Sequence, residues 1–162
     1  MSDDWRPEQK IRFSWYAIAD DEIGEKEVPG LQHNPRIIEY HSTTTLKATT
    51  DEVPWCSSFV NWCMVRAGYT PTRSAAARSW ATYGKQTPPV EGCIVVLTRN
   101  GGGHVGFYVK STASHVYVLG GNQSNAVNVS AYPKTRVIAY CVPKKMNDED
   151  EGLYNMKLNR IA

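Results

Sequence analysis

The apolar residues Ile11, Trp15, Ile18, Ala19 and Ile23 recur at steps of three and four, a spacing that gathers them on one face of a helix. The pattern predicts an amphipathic helix from Pro7 to about Ile23, ended by Gly24. Between Glu27 and Thr50 the periodicity breaks. Pro29-Gly30 and Asn34-Pro35 are turn signals around a short apolar segment, Ile37-Ile38-Glu39-Tyr40, and a polar run of Ser and Thr follows. This stretch reads as loops with one short helical piece. Asp51-Glu52-Val53-Pro54 then marks a helix start, since acidic side chains favour the positive end of the helix dipole and proline is tolerated in the first turn. The helix it opens runs from about Pro54 to Ala67, with Phe59, Val60, Cys63, Met64 and Ala67 as its apolar face and Gly68 as its cap. A second, Ala-rich helix is predicted over Ser74 to Tyr83, ending at Gly84.

After Pro88-Pro89 the chain turns to strand-forming residues. Cys93–Leu97, His104–Val109, His115–Leu119, Val127–Val129 and Arg136–Val142 are rich in β-branched and aromatic side chains, and Gly101-Gly102-Gly103 and Gly120-Gly121 punctuate them. Helices first and strands afterwards predict an α+β fold with an antiparallel sheet packed against the Pro54 helix. Residues 1–143 are expected to form a single domain, a size that buries its own core without staples. The charged tail, residues 144–162 with Asn147-Asp148-Glu149-Asp150-Glu151, reads either as partly disordered or as a late helix.

Composition narrows the function classes. With 41% hydrophobic and 21% charged residues, the bulk of the chain should fold. The net charge of +2 is spread along the chain, and no cluster of Lys or Arg interleaved with aromatics marks a nucleic-acid groove, so no nucleic-acid partner is expected. No segment approaches the roughly 18 apolar residues of a membrane helix, and Met1-Ser2-Asp3-Asp4-Trp5-Arg6 lacks the basic and apolar stretches of a secretory signal. The expectation is synthesis in the cytoplasm without a signal peptide and without membrane insertion. Cys56, Cys63, Cys93 and Cys141 show no CxxC pair and no close regular spacing, so neither a zinc site nor a disulfide scaffold is indicated, and no metal or other cofactor is implied.

Two of these residues carry candidate chemistry. Cys56 falls in the first turn of its helix, where the dipole and free backbone N–H groups stabilise an anion and lower a thiol pKa. Cys63, seven residues on, lies on the apolar stripe and reads as core. His104 opens a strand after three glycines, on the same face as Gly106, which leaves room for a close approach. A thiol and imidazole work better with a third polar group that fixes the ring, and the amides of Asn122-Gln123 fit that role; the same residues also fit an ordinary Gly-Asn turn. His33, His41 and His115 lack this setting, with His41 the reserve candidate.

Pro54-Trp55-Cys56-Ser57-Ser58-Phe59-Val60-Asn61-Trp62, with Gly103-His104-Val105-Gly106 and Gly120-Gly121-Asn122-Gln123 downstream, resembles the NlpC/P60 and CHAP-like cysteine peptidase superfamily. The resemblance covers about Ile18 to Val142. It implies a papain-like fold and hydrolysis of amide bonds in peptidoglycan stem peptides or cross-links. By motif match Cys56 carries over as nucleophile, His104 as base and Asn122 as orienting residue, with the backbone N–H of Cys56 holding the oxyanion. Where the superfamily often shows Pro-Gly-Asp, this chain has Glu91-Gly92-Cys93. Trp55, Ser57 and Tyr108 are candidates for substrate contact: Trp55 borders the expected cleft, and Ser57 is either a donor there or simply a small helix residue.

The leading expectation is a peptidoglycan amidase or endopeptidase delivered to the periplasm or wall by a type VI-like secretion apparatus or at phage lysis. An immunity protein is the expected partner if it is an antibacterial effector. The alternatives are a phage endolysin of the same chemistry, a cysteine hydrolase or acyltransferase on another amide or thioester, and a binding module without turnover.

Overall fold

The computed structural model describes residues 11–30, 32–51 and 54–161. Among the described residues three α-helices precede the sheet: α1 (Ser14–Asp21), α2 (Pro35–His41) and α3 (Cys56–Arg66). Six strands follow, β1 (Lys85–Gln86), β2 (Ile94–Arg99), β3 (Gly102–Ser111), β4 (His115–Gln123), β5 (Ala126–Pro133) and β6 (Val137–Val142), and α4 (Asp148–Ile161) closes the chain. All strand pairs are antiparallel in the order β1-β6-β2-β3-β4-β5. The fold is α+β.

The core lies between α3 and the central strands. Nine consecutive residues of α3, Cys56 to Met64, are buried, so this helix is enclosed nearly all round rather than along one stripe. Phe59 meets Phe107 of β3 edge-on, with ring centroids 6.4 Å apart. On β4, a Cβ at Gly121 would stand 2.6 Å from the Trp55 ring, so only glycine lets the sheet approach the start of α3 this closely.

Three local expectations meet corrections. Asp51, read as a dipole-facing acid at the head of the helix, is instead fully buried and accepts hydrogen bonds from the backbone N–H groups of Val28 and Asn34, both at 2.9 Å. It organises the preceding loop, and Trp55 occupies the N-cap without a side-chain cap bond; Glu52 and Val53 lie outside the described residues. The Ala-rich helix is shorter and tighter, a 3₁₀ helix over Ala77–Thr82. The segment before it is tied to α3 instead: Asn61 accepts from the Arg73 N–H at 2.6 Å, and Ser57 Oγ donates to the Ser74 carbonyl at 2.7 Å. α1 is confined to Ser14–Asp21, and the stretch predicted from Pro7 to Lys10 lies outside the described residues.

The tail forms a helix, not a disordered end. α4 buries Leu153 and Tyr154, and its buried Asp150 accepts from Ser14 Oγ at 2.7 Å, the Ser14 N–H at 2.9 Å and Tyr69 OH at 2.6 Å. These bonds fasten α4 to the head of α1. No helix among the described residues is long and apolar enough to cross a membrane.

Candidate active site

Cys56 is the first residue of α3, and its thiol faces the backbone of β3. The N–H groups of Val105, Ser57 and Cys56 itself, with the positive charge of Arg99, all favour the thiolate there. Burial outweighs them: the residue is only 5% exposed, and its pKa lies above the ordinary cysteine value. This corrects the expectation of a thiol acidified by its helix. Burial thus favours the neutral thiol at rest.

His104, on β3, is sealed from solvent. Its Nε2 lies 2.9 Å from Gln123 Oε1 and 3.2 Å from Tyr132 OH. Gln123 Nε2 donates to the Val118 carbonyl (3.2 Å), the Asn128 carbonyl (2.8 Å) and Asn128 Oδ1 (2.9 Å). Three acceptors around one nitrogen fix which end of the amide is which, so Oε1 faces the imidazole. An amide oxygen only accepts, which requires the hydrogen on Nε2 and leaves the lone pair on Nδ1. Nδ1 is itself buried and has no hydrogen-bond partner among the described residues. Burial pushes the imidazole pKa down to about 4, against a raising contribution from the Gln123 bond, and Arg99 and Arg136 lower it further. The ring is neutral at physiological pH, with a single free basic atom.

The structure thus gives His104 a different amide partner from the one carried over by motif. Gln123, not Asn122, touches the ring. The pairing of β4 with β5 jumps between Gly120 and Gln123, and this irregularity places Asn122 in the left-handed region (φ 57°), half-buried, while Gln123 turns inward. Gly120 is part of the same arrangement, because a Cβ there would stand 2.8 Å from Gln123 Oε1 and 3.5 Å from His104 Nε2.

The three residues expected to touch substrate sit inside the protein. Trp55 is fully buried and donates through Nε1 to Glu27 at 2.9 Å. Ser57 is spent on the Ser74 carbonyl and accepts from Trp80 Nε1 at 3.0 Å. Tyr108 is buried, its hydroxyl donating to Ser111 Oγ at 2.8 Å. In each case internal hydrogen bonding and packing occupy the group. His41 is also buried, with Nδ1 2.8 Å from Ser58 Oγ; His33 faces Asp51 at 3.1 Å and His115 faces Ser114 at 2.8 Å. Cys63, Cys93 and Cys141 are free and buried, and burial raises all three thiols, Cys93 to about 12 and Cys141 to about 11. No group of three or more metal-ligating side chains occurs among the described residues.

Tyr132, Arg99 and Arg136 were not legible as site residues. Tyr132 reaches His104 from β5, with ring centroids 5.2 Å apart, and Arg136 lies over the Tyr132 ring at 5.5 Å. Nothing in their local sequence marks them; only strand pairing brings them here.

Comparison with known protein families matches the CHAP domain over residues 48–122, just under half of the chain. The matched stretch begins before α3, runs into β4 and takes in Cys56, His104 and Asn122. It is consistent with the CHAP and NlpC/P60 superfamily that the motifs resemble, and the α+β architecture is compatible with a papain-like fold. CHAP domains are typically cysteine- and histidine-dependent amidases or peptidases, and the match points to peptidoglycan hydrolase or amidase chemistry. No curated protein matches the chain.

Proposed function

We propose that this protein is a cysteine amidase or endopeptidase that cleaves an amide bond in the stem peptides or cross-links of bacterial peptidoglycan, with Cys56 as nucleophile and His104 as general base. The observation that carries this reading is the imidazole held as its Nε2–H tautomer by Gln123, with a buried Nδ1 lone pair beside a β3 backbone that faces the Cys56 thiol.

As substrate arrives, the Sγ proton passes to His104 Nδ1 and sulfur attacks the amide carbonyl carbon. The carbonyl oxygen becomes an oxyanion, stabilised by the Cys56 N–H, which as the first helical residue has no partner within the helix. Collapse breaks the C–N bond, and His104 returns its proton to the leaving nitrogen. Water then attacks the thioester, giving its proton to Nδ1; the acid product leaves and the thiol is restored. Because both groups rest neutral, the proton moves during attack and no preformed ion pair is needed. Gln123 is a positioning residue: it steadies the imidazolium that forms after proton transfer.

A wall substrate places the action in the periplasm or cell wall, reached through a secretion apparatus or at phage lysis, and an immunity protein would be the partner of an effector. Expression with an added periplasmic leader tests this context: lysis is expected with the leader, and only with Cys56 intact. The direct test incubates purified Gram-negative sacculi with the protein and with Cys56→Ala. Defined peptide fragments from the wild type alone, identified by mass spectrometry, support the hydrolase and name the bond. Intact sacculi in both, with the protein folded, overturn it.

A further inference from the structure

Three arginines converge on the β2–β3 hairpin that ends beside His104. Arg78 Nη2 donates to the Gly102 carbonyl at 3.1 Å, and Arg136 donates to the Thr98 carbonyl through Nε at 2.9 Å and Nη2 at 2.6 Å. Arg99 lies between these two anchor points. It pairs with Gly102 while Leu97 pairs with His104, so Arg99 and His104 project from the same face of the hairpin. Arg99 is half-buried, and its charge acts on Cys56, His104 and Tyr132 alike.

Among the described residues none of the three arginines forms an ion pair with a carboxylate, whereas Arg12 pairs with Asp20 and Arg36 with Glu22 and Glu39. Like charges gathered without a counter-ion repel one another and depress the basicity of the neighbouring imidazole. That repulsion is relieved when an anion enters. Arg78 and Arg136 are held by backbone carbonyls, while Arg99 keeps its guanidinium donors in a planar fork suited to bidentate carboxylate binding.

We propose that Arg99, flanked by Arg78 and Arg136, forms a carboxylate-recognition subsite beside the Cys56 thiol, selecting acyl donors that carry a free carboxylate next to the scissile amide. This deepens the amidase reading and rests on it for the substrate, although the anion site itself can be read out without turnover.

Iodoacetate and iodoacetamide alkylate the same sulfur and differ chiefly in one negative charge. Their rate ratio at Cys56, followed by peptide mass spectrometry, cancels the thiolate fraction, which Arg99 also influences. The wild-type ratio is expected to favour iodoacetate by about tenfold over the ratio for glutathione, and Arg99→Gln to remove most of that preference. Arg99→Lys should retain part of it. A wild-type ratio equal to that of glutathione overturns the subsite, as does a ratio unchanged in Arg99→Gln. Failure of iodoacetate to reach Cys56 at all also overturns it, since a site open to a carboxylate substrate must admit this reagent. In parallel, stem peptides with the neighbouring carboxylate free are expected to be cut at least tenfold faster than their amidated forms, with the difference lost in Arg99→Gln. Equal cleavage of both forms overturns the proposal. A preference for iodoacetate with no cleavage of any wall peptide supports the anion site while overturning the amidase.

Discussion

Gln123 Oε1 accepts the Nε2–H of His104 at 2.9 Å, and the three acceptors around Gln123 Nε2 leave that amide no alternative orientation. The tautomer of the imidazole is therefore written into the β4–β5 turn rather than into β3. Gln123→Leu should lower kcat about 10- to 100-fold on wall peptides with little change in KM, because the base loses its orientation and the imidazolium its acceptor. Asn122→Gly should stay within about threefold of wild type, since glycine suits the left-handed backbone there. Steady-state kinetics of the two variants decide between the neighbouring amides; a greater loss in Asn122→Gly would reverse the assignment.

Burial of His104 makes stability depend on acid. Its folded pKa of about 4 lies below the ordinary value of 6.5, so between these values the unfolded chain binds the proton and the folded one does not. Stability from this residue is fully present above about pH 6.5, falls as pH drops toward 4, and is lost by up to about 3 kcal/mol at the lower end. Urea unfolding at pH 7, 5.5 and 4.5 should show the decline, and His104→Gln should flatten the part of the slope belonging to this residue.

The Cys56 thiol is raised by burial, not lowered by its helix. Alkylation by iodoacetamide should keep accelerating as pH rises through 9, with no plateau near neutrality, when the rate is followed at Cys56 by mass spectrometry. A plateau already reached at pH 7 would mean a preformed thiolate and would contradict the neutral resting pair.

Asp150 joins α4 to the head of α1 and to Tyr69 through three hydrogen bonds. Asp150→Ala leaves those donors without their shared acceptor in a partly buried place and should cost about 2 to 4 kcal/mol, measured by chemical denaturation. Hydrogen exchange should rise first in α4.

Much of this fold is legible from sequence where local chemistry and packing agree. The switch from helix-forming to strand-forming residues after Pro88-Pro89 marks the α+β division, and the apolar run Ile94 to Leu97 becomes the buried heart of β2. Cys56 at a helix start and His104 at the head of a strand were readable from their neighbours, because proline and glycine punctuate the chain there. Local reading failed where a distant group decided the outcome. Asp51 looked like a dipole partner until the backbone N–H groups of Val28 and Asn34 claimed it. Ser74 to Ala76 had the composition of a helix, yet Ser57 and Asn61 hold the adjoining backbone to α3.

By itself the sequence determined the order of helices and strands, the thiol and imidazole that stand out from it, and the match to CHAP domains, all of which depend on residues close together in the chain. Tertiary structure decided which amide holds the imidazole, that Trp55, Ser57 and Tyr108 are interior, and that Arg99 and Tyr132 attend the site. Those outcomes depend on strand register and on desolvation. A jump in pairing on β4 exchanges Gln123 for Asn122, and burial reverses the helix's effect on the thiol. Neither quantity exists until the sheet has closed over α3.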